Sequence, residues 1–183
     1  MRPVRREELV DYVTWSEQRA RAREAVFEAK RRRRVHVGDA LTLLFENRDT
    51  IRWQIQEIMR VERLVKEADI LGELATYNEL LGGAGELGAT LLVEIEDPRE
   101  RSRKLAQWLD LPARTYVGLG NGTRAYARFD PRQREDDRLS AVQFLKFATG
   151  GVVPLSAGVD LPDLEVEVPL TEEQHAALRD DLA

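Results

Sequence analysis

Five side chains in this sequence have the types and spacing for polar chemistry: Glu46, Gln54, Glu57, Glu62 and Glu94. Four of them lie in FENRDTIRWQIQEIMRVERLV, Phe45 to Val65, where an apolar strand end runs into a long helix. With successive residues about 100° apart, Ile51, Ile55, Ile58 and Val65 share one arc of that helix, with Met59 and Val61 at its edges. Glu62 projects into the middle of the arc, and Gln54 lies between Ile58 and Val61. Arg48, Arg52, Gln56, Arg60 and Arg63 take the other side. An ionised carboxylate in an apolar stripe is costly unless it is paired, hydrogen-bonded, metal-bound or protonated. Glu62 therefore requires a partner. An internal salt bridge to an arginine from a sheet is one answer, and a site carboxylate is the other.

As a site, Glu62 would join Gln54, Glu57 and a strand carboxylate, Glu46 or Glu94. Oxygen ligands of this kind suit a hard cation such as magnesium or manganese better than zinc. Di-iron proteins use Glu-x-x-His pairs on helices, whereas Glu57-Ile-Met-Arg60 has arginine in the histidine position. His36 and His175 are isolated and have no metal-ligand spacing. With no cysteine in the chain, disulfides, thiol catalysis, cysteine-bound zinc and iron–sulfur clusters are excluded as properties of this chain alone. No resident metal or cofactor is indicated by any motif.

Two basic groups offer a different chemistry. Arg31, Arg32, Arg33 and Arg34 end the first helix, where cations suit the negative end of the dipole. They form either a solvated run or a site for phosphate or an acidic partner. Arg124 and Arg128 flank Tyr126 on one strand face, and can bind an anion or pair with acidic residues on a neighbouring strand. Gly82 to Glu86, GGAGE, invites comparison with a phosphate loop, but it follows a helix and opens a strand, the reverse of what that loop requires.

These groups must be positioned by one α+β domain. A chain of 183 residues that is 43% hydrophobic and 33% charged can build a substantial core. Its net charge of −5 argues against nucleic-acid binding. The start, MRPVRREELV, lacks the apolar stretch of a secretory signal and no run approaches membrane-spanning length, so a cytoplasmic location without membrane association is expected. Residues 1–34 read as an N-terminal helical arm, opened by the capping-box spacing Thr14 to Glu17, and 35–183 as the α+β domain. The arm's narrow apolar face makes a homodimer an option.

Val35 to Val37 and Ala40 to Glu46 form a hairpin around a two-residue Gly38-Asp39 turn. Asn47 or Asp49 caps the helix that follows, and a further helix runs from Lys66 to Leu81. Leu87 to Glu96 alternates as a strand, and Asp97-Pro98 starts a helix presenting Leu105 and Trp108 to the core. Gly120-Asn121-Gly122 turns a hairpin between Thr115 to Leu119 and Thr123 to Phe129. Asp130 to Arg138 is a charged loop, and Ser140 to Phe147 a central strand. The Gly- and Pro-rich stretch that follows is a long connection with room for a short strand. Leu164 to Pro169 is an edge strand, and Thr171 to Gln174 is a second capping box. Helices mixed with hairpins indicate a single, mostly antiparallel sheet with helices packed on one face, plus the charged N-terminal helix.

The stretches RRRRVHVGDALTLLFENRDTIRWQIQEIMRVER, YNELLGGAGELGATLLVEIED and RLSAVQFLKF resemble an uncharacterised bacterial family, domain of unknown function 3501. The resemblance carries no catalytic residues. It implies a context, because genes of that family often lie beside those for rubrerythrin and for an iron–sulfur protein similar to heterodisulfide reductase. The resemblance therefore points to a non-catalytic accessory or binding protein for such a redox partner. An enzyme or metal-binding protein with a carboxylate-rich site around Glu62 is the competing expectation.

Overall fold

In the computed structural model, which describes residues 1–131 and 137–183, eight antiparallel strands form one strongly curled sheet. In chain order the strands are β1 (Arg34–Val37), β2 (Leu41–Glu46), β3 (Glu86–Val93), β4 (Thr115–Gly118), β5 (Arg124–Phe129), β6 (Val142–Ala148), β7 (Ser156–Leu161) and β8 (Leu164–Pro169). Their spatial order is β1-β2-β3-β6-β5-β4-β7-β8. Curling brings the two edge strands together. Gly38, at the β1–β2 turn with φ +67°, has the Val166 side chain of β8 3.7 Å from where a Cβ would stand. The sheet is thus nearly a barrel, with one face turned inward as the core and the other outward to the helices.

Alternation decides which residue goes where. Leu41, Leu43 and Phe45 of β2 point inward with Leu87, Ala89, Leu91 and Val93 of β3, and meet Val117, Leu145, Phe147 and Val159 in one apolar cluster. The helices α4 (Pro98–Gln107) and α5 (Leu111–Arg114) add Leu105, Trp108 and Leu111 to this cluster at one end. At the other end α6 (Glu172–Leu182) adds Leu178. The capping signals at Asp97 and Thr171 work as the sequence implies: Asp97 accepts from the Glu100 amide, and Thr171 forms a capping box with Gln174.

The outward face of β2, β3 and β6 is covered by α1 (Tyr12–Arg31), α2 (Arg48–Val61) and α3 (Glu67–Asn78). Helix α1 starts earlier than Thr14. Its cap is Asp11, whose carboxylate accepts from the Val13 and Thr14 amides. Trp15 of α1 meets Trp53 of α2 edge to face, centroids 5.2 Å apart. Ile51, Ile55 and Met59 of α2 and Ile70 and Leu74 of α3 form a second apolar cluster with Val4 and Leu9. The first ten residues are pinned into this cluster by two amide side chains. Asn78 exchanges two hydrogen bonds with the Val4 backbone, and Gln56 does the same at Val10. Gln56 is therefore buried rather than on the solvated side of its helix, because the N-terminal segment packs over it.

Three further features depart from the sequence expectation. The Gly38 turn has three residues, since Val37 pairs with Leu41. The Gly- and Pro-rich connection contains β7, a full strand paired on both sides. Part of the charged loop at Asp130 to Arg138 lies outside the described residues.

Candidate functional site

The stretch from Arg31 to Met59 builds a buried polar network at the junction of β2 and α2. Asn47 caps α2, accepting from the Thr50 amide, while the Thr50 hydroxyl accepts from the Asn47 amide. That reciprocal box fixes Glu46 one residue upstream, on the outward face of β2 and beneath the helix. The Glu46 side chain has three donors: the Thr50 hydroxyl at 2.5 Å, the Thr90 hydroxyl of β3 at 2.6 Å and the Gln54 amide at 3.1 Å. Glu46 is 1% exposed. Lys30, half-buried on α1, lies within its electrostatic reach. Burial lowers the Lys30 pKa, and the charge on Glu46 pulls it back up.

The network continues to the C-terminal helix. Arg33 grips Asp181 with two nearly parallel bonds of 2.7 and 2.8 Å, and Asn47 also hydrogen-bonds to Asp181. The two side chains are 8% and 6% exposed. Burial pushes the Asp181 carboxyl above its ordinary range, while Arg33 and Asn47 pull it back. Of the basic run, Arg33 is thus an internal strut. Arg31 bonds Glu28 and Glu173 on the surface, Arg32 is half-buried, and Arg34 is exposed.

Glu57 belongs to a separate cluster, the seam between α1 and α2. Its carboxylate accepts from Trp15 Nε1 at 2.8 Å, from Arg19 through Nε and Nη2, and from Arg60. Burial works to raise its pKa, yet these donors hold it down to about 2, against an ordinary 4.5. A carboxylate depressed in the folded state contributes stability that is full above its unfolded pKa and lost as pH falls through the folded one. Glu57→Gln is therefore expected to cost roughly 1–2 kcal/mol at neutral pH. In paired urea titrations, the gap from wild type should close between about pH 4.5 and pH 2. A gap that persists at the acid end would place the loss in packing rather than in charge.

Glu62 is not in the apolar arc. Helix α2 ends at Val61, and Glu62 is its exposed C-cap. The chain closes in a Schellman motif: the Leu64 amide reaches the Met59 carbonyl, the Arg63 amide reaches the Arg60 carbonyl, and Arg63 takes φ +51°. Glycine is the usual residue at that position, so the stop had no sequence marker. Glu94 lies just past the end of β3 and accepts from the Thr42 hydroxyl, which is also 2.9 Å from His36 Nδ1. Of the five polar candidates, only Glu46 and Gln54 come together.

Arg124, Tyr126 and Arg128 are exposed on the outward face of β5. Arg124 lies 4.0 Å over the Tyr116 ring and pairs with Glu167 and Asp160. The Tyr126 hydroxyl donates to Asp160, and Arg128 pairs with Glu86. Tyr116 is buried below them, its hydroxyl donating to Glu167. Burial and that carboxylate push its pKa up to about 12.

A groove of about 560 Å³ lies between α3 and the outward face of β5 and β6. Tyr77 and Leu80 wall it on the helix side, and Arg128, Phe144 and Lys146 line the sheet side. Nothing in the sequence signals it, because its two walls come from segments 73–80 and 128–146 that meet only in the folded sheet.

A model of the family described as protein of unknown function, DUF3501, matches residues 3–182. The chain belongs to this family. A crystal structure of a protein of unknown function from Burkholderia pseudomallei is similar to the DUF3501 chain over 100% of both chains, with 30% identity and a TM-score of 0.91. No curated protein matches it. In this DUF3501 chain Arg33, Glu46, Asn47, Thr50 and Gln54 of the buried network lie within the first of the three stretches that carry the resemblance, Arg31 to Arg63. No helix among the described residues is long and apolar enough to cross a membrane.

Proposed function

We propose that this DUF3501 chain is a cytoplasmic binding or accessory protein that docks a redox partner of the rubrerythrin or iron–sulfur type. The observation that supports this reading is the exposed row on β5. Tyr126 is 43% exposed and stands between Arg124 and Arg128. Tyrosine and arginine are the residue types most concentrated at the energetic centres of protein interfaces. Their acidic neighbours Asp160 and Glu167 already hold Tyr126 and Arg124 in place, which lowers the entropy cost of docking. The polar groups beneath the helices, by contrast, are buried. In this reading the iron chemistry belongs to the partner, and this chain supplies position and charge complementarity.

The test is co-purification of the tagged full chain with the neighbouring rubrerythrin or iron–sulfur protein at low salt. The expected result is a complex that weakens by about tenfold or more when Tyr126→Ala and Arg124→Glu are combined. Equal recovery of the partner on that variant would reject the docking face. Failure to recover either protein on the unmodified chain would reject the redox assignment.

A further inference from the structure

The groove between α3 and β5–β6 encloses about 560 Å³, inside the ~300–1,000 Å³ range of small-molecule sites. Its floor carries an arrangement that sheets ordinarily avoid. Arg128 and Lys146 stand directly opposite one another in the β5–β6 register, and like charges in that position repel across about 5 Å. Glu86 relieves Arg128. Lys146 is half-buried, and its ammonium group makes no hydrogen bond or ion pair among the described residues. A partly desolvated cation without a counterion is a standing cost, and an anion placed beside it removes that cost.

The surroundings of Lys146 limit what that anion can be. Phe144 lies two residues away on the same face, and Tyr77 and Leu80 close over it from the helix side. This wall is preformed. The Leu80 carbonyl is pressed so closely on β3 that a Cβ at Gly88 would stand 1.9 Å from it, which only glycine permits. Glu73 and Glu79 also line the groove, so a polyanion would meet repulsion from these carboxylates.

We infer that this groove binds a small amphipathic monoanion, with its single carboxylate, sulfonate or phosphate-ester group at Lys146 and an apolar body along Phe144, Tyr77 and Leu80. The groove shares Arg128 with the docking row on β5, but the anion contact at Lys146 does not rest on that reading.

The test is fluorescence titration of the full chain with two probes of like shape and different charge: anilinonaphthalene sulfonate, an aromatic monoanion, and neutral N-phenyl-1-naphthylamine. Saturable one-to-one binding of the anionic probe is expected. Lys146→Met should weaken it by about tenfold or more and leave the neutral probe within about twofold, while Lys146→Arg should retain the anionic probe within about threefold. Retained affinity of Lys146→Arg, with unchanged far-ultraviolet circular dichroism in both variants, separates loss of charge from loss of fold. Anionic-probe binding that is absent, non-saturable or indifferent to Lys146→Met overturns the inference. So does tighter binding of a cationic aromatic dye, because the carboxylates at the rim would then set the preference.

Discussion

Asp181→Ala is expected to destabilise the folded protein by about 3–5 kcal/mol, because it strands the Arg33 guanidinium in a site largely shielded from water. Arg33 would lose both carboxylate oxygens and keep the Ala29 carbonyl, 3.1 Å from Nη1, as an acceptor. For a domain whose net stability is about 5–15 kcal/mol, that is enough to shift a urea midpoint far to the left. Helix α6 carries Leu178 into the barrel core, so the loss should also appear as early hydrogen exchange of the α6 amides.

The double variant Arg33→Met, Asp181→Leu separates two explanations. A buried ion pair replaced by apolar groups of similar volume is often neutral or stabilising, since neither charge then has to be desolvated. The double variant should therefore recover most of the loss. The direction of the Asp181 shift agrees with that expectation: desolvation outweighs its bonds and raises its pKa above 3.8. A carboxyl raised in the folded state holds its proton more tightly there. Its contribution to stability is therefore largest below the unfolded pKa and declines as pH rises through the folded one, opposite in sign to Glu57. A cost below about 1 kcal/mol for Asp181→Ala would mean that α6 is held by Leu178 and its apolar neighbours instead.

Glu46→Leu is the second large effect, about 3 kcal/mol in the same measurement. It leaves the Thr90 hydroxyl and the Gln54 amide without their acceptor inside the α2–sheet interface, at about 1–3 kcal/mol for each unsatisfied group. Thr50 is less affected, because its hydroxyl also lies 3.0 Å from the Asn47 carbonyl. Glu46→Gln should be much milder, since the amide keeps one acceptor oxygen and the threonine hydroxyls can turn to accept from its nitrogen. It should also lower the Lys30 pKa further, by removing the nearby negative charge that Lys30 feels. Lysine-selective modification followed across pH would read that shift. If Glu46→Gln left stability intact but abolished recovery of the redox partner, the carboxylate itself would be in use and the network would be more than a scaffold.

Both experiments concern the buried network that joins β2, α2 and α6, and its residues differ in how far the sequence pattern reveals them. Period-two alternation at Leu41, Leu43 and Phe45 marks an inward strand face whichever strand pairs with it, because side-chain direction is a local property of extended backbone. The caps at Asp97 and Thr171, and the choice of Asn47 or Asp49 for α2, were legible for the same reason: such hydrogen bonds close within three residues. The α+β class, the hairpins and the central and edge positions of β6 and β8 follow from such short-range rules.

Partnership over long separations was not legible. Arg33 in a run of arginines looks solvated until Asp181, 148 residues later, is brought against it by the closing barrel. Gln56 looks exposed on a helical wheel until the first ten residues fold over it. Glu62 looks buried only if the helix runs on, and a left-handed Arg63, without the glycine that usually marks the turn, stops the helix one residue before it. The like-charged pair Arg128 and Lys146 needs the β5–β6 register before either residue has a neighbour. Sequence alone determined most of the local elements and the family, since both rest on contiguous residues. Tertiary structure decided which polar groups are consumed within the fold and which face an open groove, because burial and charge pairing are set by segments that meet only when the sheet curls.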